Sequence, residues 1–171
     1  FLFAHYYDPH TPYFTAPPEV VEQLVRPDYS GPADGSMASV FALTELWHQG
    51  RLPFRDARHH RALYLAQVAW VDTQVGRLLE GLRSRGLLEH SLVVVTSDHG
   101  ESLDDALGTP FSHGPDVDLI DIHVPLVLSG TGSLAPPTGV EVARPVRLQD
   151  LASTLVSVLG TTTAFGDGHD L

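Results

Sequence analysis

The sequence predicts an α/β domain in which helices flank a largely parallel β-sheet. Two observations lead to this fold class. Several short runs of consecutive apolar residues lack polar alternation, which is typical of strands covered on both faces. A long segment between them has apolar residues at spacings of four and three, which predicts an amphipathic helix. Helices that alternate with buried strands indicate a parallel sheet.

The first half of the chain predicts one strand and two helices. Residues 1–5 are apolar and aromatic, as in a buried strand. Ser36 is suited to cap a helix over Met37–His48. A longer helix is expected over residues 56–85, followed by Gly86 as its C-terminal cap. Its apolar stripe consists of Tyr64, Val68, Val71, Val75, Leu78 and Leu82.

The second half predicts three further strands and a closing helix. Residues 92–96 and 124–128 are the two apolar runs expected to form buried parallel strands. Residues 144–148 predict a fourth strand, which its proline places at a sheet edge. An amphipathic helix is expected over residues 151–159, and Gly160 ends it.

Composition excludes several classes of protein. The 171 residues include 10 Lys+Arg and 21 Asp+Glu, a net charge of −11, so the chain lacks the basic surface of a nucleic-acid binder. The absence of cysteine excludes disulfides and thiolate chemistry within this sequence. No apolar run approaches the roughly 20 residues that a membrane-spanning helix requires. Because residue 1 already lies in a predicted strand, we expect the chain to be a fragment of a larger domain.

Polar residues follow the second predicted strand directly. Asp98 and His99 lie at its carboxyl end, where ligands bind in open parallel sheets. A carboxylate beside an imidazole suits a divalent cation. In the alternative interpretation, Asp98 caps the following helix and His99 is merely exposed.

Three other histidines are candidates for the same edge of the sheet. His5 ends the first predicted strand, His10 follows it, and His113 lies on a loop beyond His99. Imidazoles gathered there would donate hydrogen bonds to a tetrahedral oxyanion and protonate a leaving oxygen. Taken singly, each is a weak indication, because a lone histidine is more often an ordinary surface or core residue. His60, near the start of the long helix, is predicted to be solvated.

Five segments in order carry a resemblance to a known family. They are FLFAHYYDPHTPY, the long helix leading into TSDHGES, SHG, VPLVLSG, and VRLQDLASTLVSVLG followed by GDGHDL. Together they resemble the second half of the catalytic domain of sulfatases and their relatives in the alkaline phosphatase superfamily. The resemblance implies an alkaline phosphatase-like fold that is incomplete at the N-terminus. Residues 1–171 would then be the C-terminal portion of a single catalytic domain.

The resemblance also implies roles for individual residues. Asp98 and His99 fall where the family places two ligands of a divalent cation, with Ca²⁺ expected first and Zn²⁺ or Mn²⁺ as alternatives. His10 and His113 fall on catalytic positions that contact the transferred group. His5 would line the substrate pocket.

The implied function is metal-dependent hydrolysis of a small-molecule or glycan sulfate ester, active only together with the missing N-terminal half. The family's nucleophile motif is not found here, since there is no cysteine and Ser-Gly-Pro-Ala-Asp at residues 30–34 lacks the required Arg. Alternatives within the superfamily are a phosphoethanolamine- or phosphoglycerol-type transferase and a phosphate or phosphonate ester hydrolase. A further alternative is an inactive, truncated or degenerate copy.

Overall fold

The computed structural model describes residues 1–103, 110–114, 117–161 and 166–171. The chain divides into two units, which are described separately. The first consists of Phe1–Ser84 and His99–Val124, and the second of Arg85–Asp98 and Pro125–Leu171. The helices and strands, in chain order, are α1 (Pro18–Leu24), α2 (Met37–His48), α3 (Phe54–Arg83), β1 (Leu92–Thr96), α4 (Leu119–Ile122), β2 (Leu126–Gly130), a 3₁₀ turn (Gly132–Leu134) and α5 (Leu148–Val158).

Helix α3 is the longest element of the first unit. Its 30 residues span about 45 Å, and its bounds differ by two residues at each end from the predicted helix. Helix α1 contacts it. The buried face is not the predicted apolar stripe, because Val68 is 39% exposed. Three of the buried residues of α3 are apolar, namely Ala57, Leu63 and Ala66. The other three are polar, namely Asp56, His60 and Gln67.

Helix α2 forms where its capping residue predicts it. The Ser36 side chain accepts a hydrogen bond from Ser39 N at 3.1 Å, which satisfies one of the free N–H groups of the first turn. The helix presents Val40 and Leu43 to a small apolar cluster. Ala33, Ala57 and Phe111 complete this cluster, which joins α2, α3 and the loop before α4.

The predicted strand over residues 1–5 is wrong. No strand is formed there, and the side chains of Phe1, Leu2 and Phe3 are 105%, 62% and 77% exposed. A buried strand needs neighbours on its edges and faces, and the described part of the chain supplies none to this segment.

The sheet of the second unit also differs from the expectation. Strands β1 and β2 pair antiparallel, with Leu92 opposite Gly130 and Thr96 opposite Leu126. Their predicted parallel arrangement is therefore wrong, and β2 begins two residues later than expected. Val95 is 43% exposed, so β1 is not covered on both faces. Among the described residues this is the one sheet, and the larger parallel sheet stays a prediction.

Helix α5 replaces part of the fourth predicted strand. Residues 144–147 form no strand, and Leu148 is already helical. The start of α5 is fixed by Asp150, whose carboxylate accepts hydrogen bonds from Arg147 N at 2.8 Å and from His169 N at 2.9 Å. Within the described ranges, no helix is long and apolar enough to cross a membrane.

His60 lies in the interior of the first unit, so the prediction that it is solvated is wrong. Its side chain is fully buried, with ring centroids 5.0 Å from Tyr13 and 4.6 Å from Phe111. Neither ring nitrogen has a hydrogen-bond partner in the described part of the chain. Burial, with a smaller contribution from neighbouring His59, lowers the pKa of His60 to about 4, and Asp34 opposes the shift.

This burial predicts loss of stability in acid. The unfolded chain takes up a proton at His60 below pH 6.5, whereas the folded chain does so only near pH 4. The free energy of unfolding should therefore fall by up to about 3 kcal/mol between these pH values because of this one group. In His60→Leu, the free energy of unfolding measured with urea should no longer show that part of the pH dependence. His48→Leu, at an exposed histidine, should keep it, and equal slopes in all three proteins would contradict the prediction.

Candidate active site

His10 lies in a turn that follows the exposed N-terminal segment. Its backbone N donates to Tyr7 O at 3.1 Å, and the Tyr7 ring centroid is 4.6 Å from the imidazole. The ring Nδ1 is 2.6 Å from Thr11 O. Because a carbonyl oxygen can only accept, Nδ1 carries a hydrogen and Nε2 is the ring nitrogen left for chemistry.

His99 and His113 are brought together by local backbone pairing. An antiparallel bridge joins Ser102 to Ser112, with Ser102 N donating to Ser112 O at 3.1 Å. The bridge sets the residues that flank it side by side, so the His113 Nδ1 is 3.3 Å from the Glu101 Oε2. Like His10, His99 has its Nδ1 against a carbonyl oxygen, that of Gly100 at 2.7 Å.

The turn after His99 depends on a glycine. Gly100 N donates to Asp121 O at 2.7 Å. A Cβ at position 100 would collide with the carbonyl oxygen of Ile120, at the centre of α4. The absence of a side chain therefore lets the chain after His99 approach α4 closely enough to place Asp121 beside the site.

The structure brings three of the predicted site residues into one cluster. The ring centroids of His99 and His113 are 4.0 Å apart and nearly parallel, at 25°. Those of His10 and His113 are 5.1 Å apart at a steep angle of 70°. We call His10, His99 and His113 the imidazole cluster. It joins segments that are about 90 residues apart in sequence, all within the first unit.

The other two predicted residues are placed differently. His5 is exposed, and its ring neighbour is Phe3 at 6.1 Å, so the structure does not join it to the imidazole cluster. Asp98 precedes His99 directly but belongs to the second unit. Its role as a ligand stays a prediction from the sequence.

Glu101 was not assigned a role from the sequence, although it follows His99 by only two residues. Its side chain is 7% exposed, and its Oε1 is buried without a hydrogen-bond partner among the described residues. Burial raises the pKa of Glu101 to about 7, because a charged carboxylate loses its hydration there. His10 and His99 oppose this rise, and the Asp121 carboxylate adds to it. Burial was the missing information, since sequence alone does not show which carboxylate is desolvated.

Asp121 is a second carboxylate near the cluster, and its side chain is half-buried. Its Oδ2 accepts a hydrogen bond from Gly114 N at 3.2 Å, while Oδ1 is buried without a partner in the part of the chain that is described. Acceptor atoms that are buried and unpaired are costly unless another group satisfies them. The site thus combines imidazole nitrogens with carboxylate oxygens that lack hydrogen-bond donors.

This donor set suits a cation chemically but does not complete its coordination. The bond from His99 Nδ1 to a carbonyl is the arrangement that metal-ligating histidines use to present Nε2. However, no group of three or more His, Asp or Glu side chains among the described residues is arranged to hold a metal ion. A cation held by His99 therefore requires further ligands from other residues.

Residues 1–161 match the sequence model of the sulfatase family, so the chain belongs to the sulfatases. This confirms the family indicated by the sequence motifs. The chain is 32% identical over 125 residues to arylsulfatase K of Danio rerio, an alignment that covers 71% of this chain and 22% of that protein. It is 43% identical over 54 residues to human iduronate 2-sulfatase, covering 32% of this chain and 10% of that protein. The chain thus spans about a fifth or less of these relatives.

A solved structure is similar in three dimensions. The phosphonate monoester hydrolase from Silicibacter pomeroyi superposes with a TM-score of 0.62 at 28% sequence identity. The match covers 84% of this chain and 26% of that protein. Both the sequence family and the structural neighbour therefore indicate enzymes that act on esters of tetrahedral oxyacids.

Proposed function

We propose that this chain supplies part of the active site of a metal-dependent sulfate-ester hydrolase. The imidazole cluster carries this proposal, because three imidazoles meet there beside two carboxylates that each have a buried, unpaired oxygen among the described residues. The transition state of sulfuryl transfer needs hydrogen-bond donors on its negatively charged oxygens and a proton for its leaving oxygen, and imidazoles provide both. Membership of the sulfatase family supports sulfate as the transferred group.

In this proposal Asp98 and His99 hold a divalent cation, with Ca²⁺ expected first and Zn²⁺ or Mn²⁺ as alternatives. A cation bound there screens the negative charge of the ester oxygens. His99 suits this role, because metal-ligating histidines commonly have the other ring nitrogen hydrogen-bonded to a carbonyl oxygen, as the His99 Nδ1 is to Gly100 O.

His10 and His113 act on the ester itself. His113 in its imidazolium form binds a sulfuryl oxygen, and its Nδ1 lies 3.3 Å from the Glu101 Oε2. His10 as imidazolium gives its Nε2 proton to the leaving oxygen while the S–O bond breaks and the sulfuryl group passes to a nucleophile that the remainder of the domain supplies; His10 is then neutral. His5 lines the entrance of the pocket when the whole protein is assembled.

We further propose that residues 1–171 form the C-terminal portion of one catalytic domain. The chain spans 22% of arylsulfatase K of Danio rerio and 26% of the phosphonate monoester hydrolase from Silicibacter pomeroyi. The exposed aromatic side chains of Phe1 and Phe3 are the kind of surface that the remainder of such a domain would cover.

A second candidate is a phosphonate ester hydrolase, favoured by the similarity to the phosphonate monoester hydrolase structure. Both candidates require a tetrahedral anion at the same cluster, so they differ in the charge and substituents of the group transferred. Sulfate is preferred here because the arylsulfatase K alignment is with a sulfatase and covers 71% of the chain.

Substrates with one shared leaving group separate these candidates. The full-length protein should be assayed on 4-nitrophenyl sulfate, 4-nitrophenyl phosphate and 4-nitrophenyl phenylphosphonate. We expect the highest kcat/KM on the sulfate, complete loss after chelation, and recovery on adding one of the three cations. Preference for the phosphonate would establish the second candidate instead. Full activity after exhaustive chelation would contradict the metal requirement.

A further inference from the structure

Gln67 is a fully buried glutamine at the middle of α3, and its side chain reaches the loop that carries His10. Its Oε1 accepts hydrogen bonds from Thr15 N at 3.2 Å and from Ala16 N at 3.0 Å. These bonds join residues that are 52 and 51 positions apart in the sequence. The two N–H donors also fix the orientation of the amide, since they require an oxygen opposite them.

The Thr15 side chain extends this contact to the beginning of the loop. Its hydroxyl lies within hydrogen-bonding distance of both the Gln67 Oε1 and the Asp8 carboxylate. The single hydroxyl proton serves one of these acceptors at a time, while the two backbone bonds hold Gln67 independently of it. Asp8 precedes His10 by two residues, so both ends of the loop over residues 8–16 are tied to one point on α3.

His10 depends on this loop for its position. Its described hydrogen bonds, from its N to Tyr7 O and between its Nδ1 and Thr11 O, lie within or next to the loop. His113, its partner in the cluster, is held by the Ser102–Ser112 bridge. The separation of the two imidazoles therefore depends on how the loop is fastened, both by Gln67 and by the buried Tyr13, whose N donates to Gly35 O at 2.8 Å.

We propose that Gln67 is a positioning residue that holds His10 against His113 through Thr15 and Asp8. The expected effect on turnover rests on the proposed function of the imidazole cluster. The anchor itself is a property of the fold and can be measured without activity. Gln67 does not touch the substrate, so its influence acts wholly through the placement of His10.

The first test is hydrogen–deuterium exchange of the full-length protein. Gln67→Met keeps the shape of the side chain and removes the acceptor. We expect exchange at Thr15 and Ala16 to become about tenfold faster, as for the loss of one hydrogen bond. Gln74→Met makes the same change two turns later on α3, where the Oε1 contacts Arg77 instead of the loop, and exchange should stay as in the wild type. Unchanged exchange in Gln67→Met would overturn the proposal.

The second test is a double-mutant cycle on kcat. On phenyl sulfate, whose basic leaving oxygen needs a proton, Gln67→Met should lower kcat roughly 10- to 100-fold with KM within about twofold, because the proton donor is displaced while binding persists. In a His10→Ala background the same change should alter kcat by less than about twofold. An equal loss in both backgrounds would show a general structural effect and would overturn the positioning role.

A milder variant keeps the test decisive if Gln67→Met does not fold. Thr15→Val removes the link to Asp8 but keeps the N–H that binds Gln67. We expect kcat to fall about fivefold while exchange at Ala16 stays unchanged. Wild-type kcat in Thr15→Val would overturn the part assigned to Asp8.

If the wild type hydrolyses none of the esters, the proposed function fails, and the exchange result alone decides whether Gln67 anchors the loop.

Discussion

Replacing Asp98 by Asn in the full-length protein is expected to lower kcat/KM for 4-nitrophenyl sulfate by at least about 10³-fold. The substitution keeps the size of the side chain but removes the negative charge that a divalent cation requires. A catalytic cation contributes several kcal/mol to the stabilisation of transition-state charge, and each 1.36 kcal/mol is a factor of ten in rate. The loss should be accompanied by weaker binding of the metal, measured by calorimetry on the chelated protein.

The matched control for this experiment is Asp28→Asn. Asp28 is exposed in the segment between α1 and α2, so the same loss of one negative charge should leave turnover and metal affinity unchanged. If Asp98→Asn retained wild-type turnover, Asp98 would not be a ligand. The alternative interpretation, in which Asp98 caps a helix, would then replace its assignment as a metal ligand.

Replacing His10 by Gln is expected to slow hydrolysis in proportion to how poor the leaving group is. A proton donor contributes roughly 10²- to 10⁴-fold when the leaving oxygen is basic. It contributes little when the leaving group is as stable as 4-nitrophenolate. We therefore expect a large loss of kcat on phenyl sulfate and a small loss on 4-nitrophenyl sulfate.

Two comparisons make this result specific. His48→Gln changes an exposed histidine at the end of α2 and should leave both rates unchanged. His113→Gln should lower both rates by similar factors, because binding of a sulfuryl oxygen does not depend on the leaving group. A uniform loss in His10→Gln would show that His10 also binds the transferred group, and its role as proton donor would be withdrawn.

Helices α2, α3 and α5 were predictable because their signals are local, whereas α1 and α4 were not predicted. The Ser36 hydroxyl caps α2 as expected, and α3 ends two positions before the predicted end. His10, His99 and His113 were each indicated by their place in a motif. Their rings lie together in the structure, while their roles stay predictions.

The pairing of strands and the burial of polar groups could not be predicted in the same way. The apolar composition of a segment such as β1 predicts that the segment is buried. It does not predict which strand pairs with the segment or whether the two run parallel or antiparallel. Likewise, His60 and Gln67 look like surface residues of a helix, and only their tertiary neighbours make that helix face an interior one. The strand predicted for the N-terminal apolar segment was wrong for the same reason, since no strand of the described chain pairs with it and Phe1 and Phe3 are exposed.

The close approach at Gly100 makes this position an indicator of whether a related gene still encodes a working enzyme. Every other amino acid would push the backbone away from Ile120, even if all the histidines and carboxylates were retained. If the imidazole cluster has the proposed activity, a relative that keeps the polar residues but has a side chain at this position should have lost turnover.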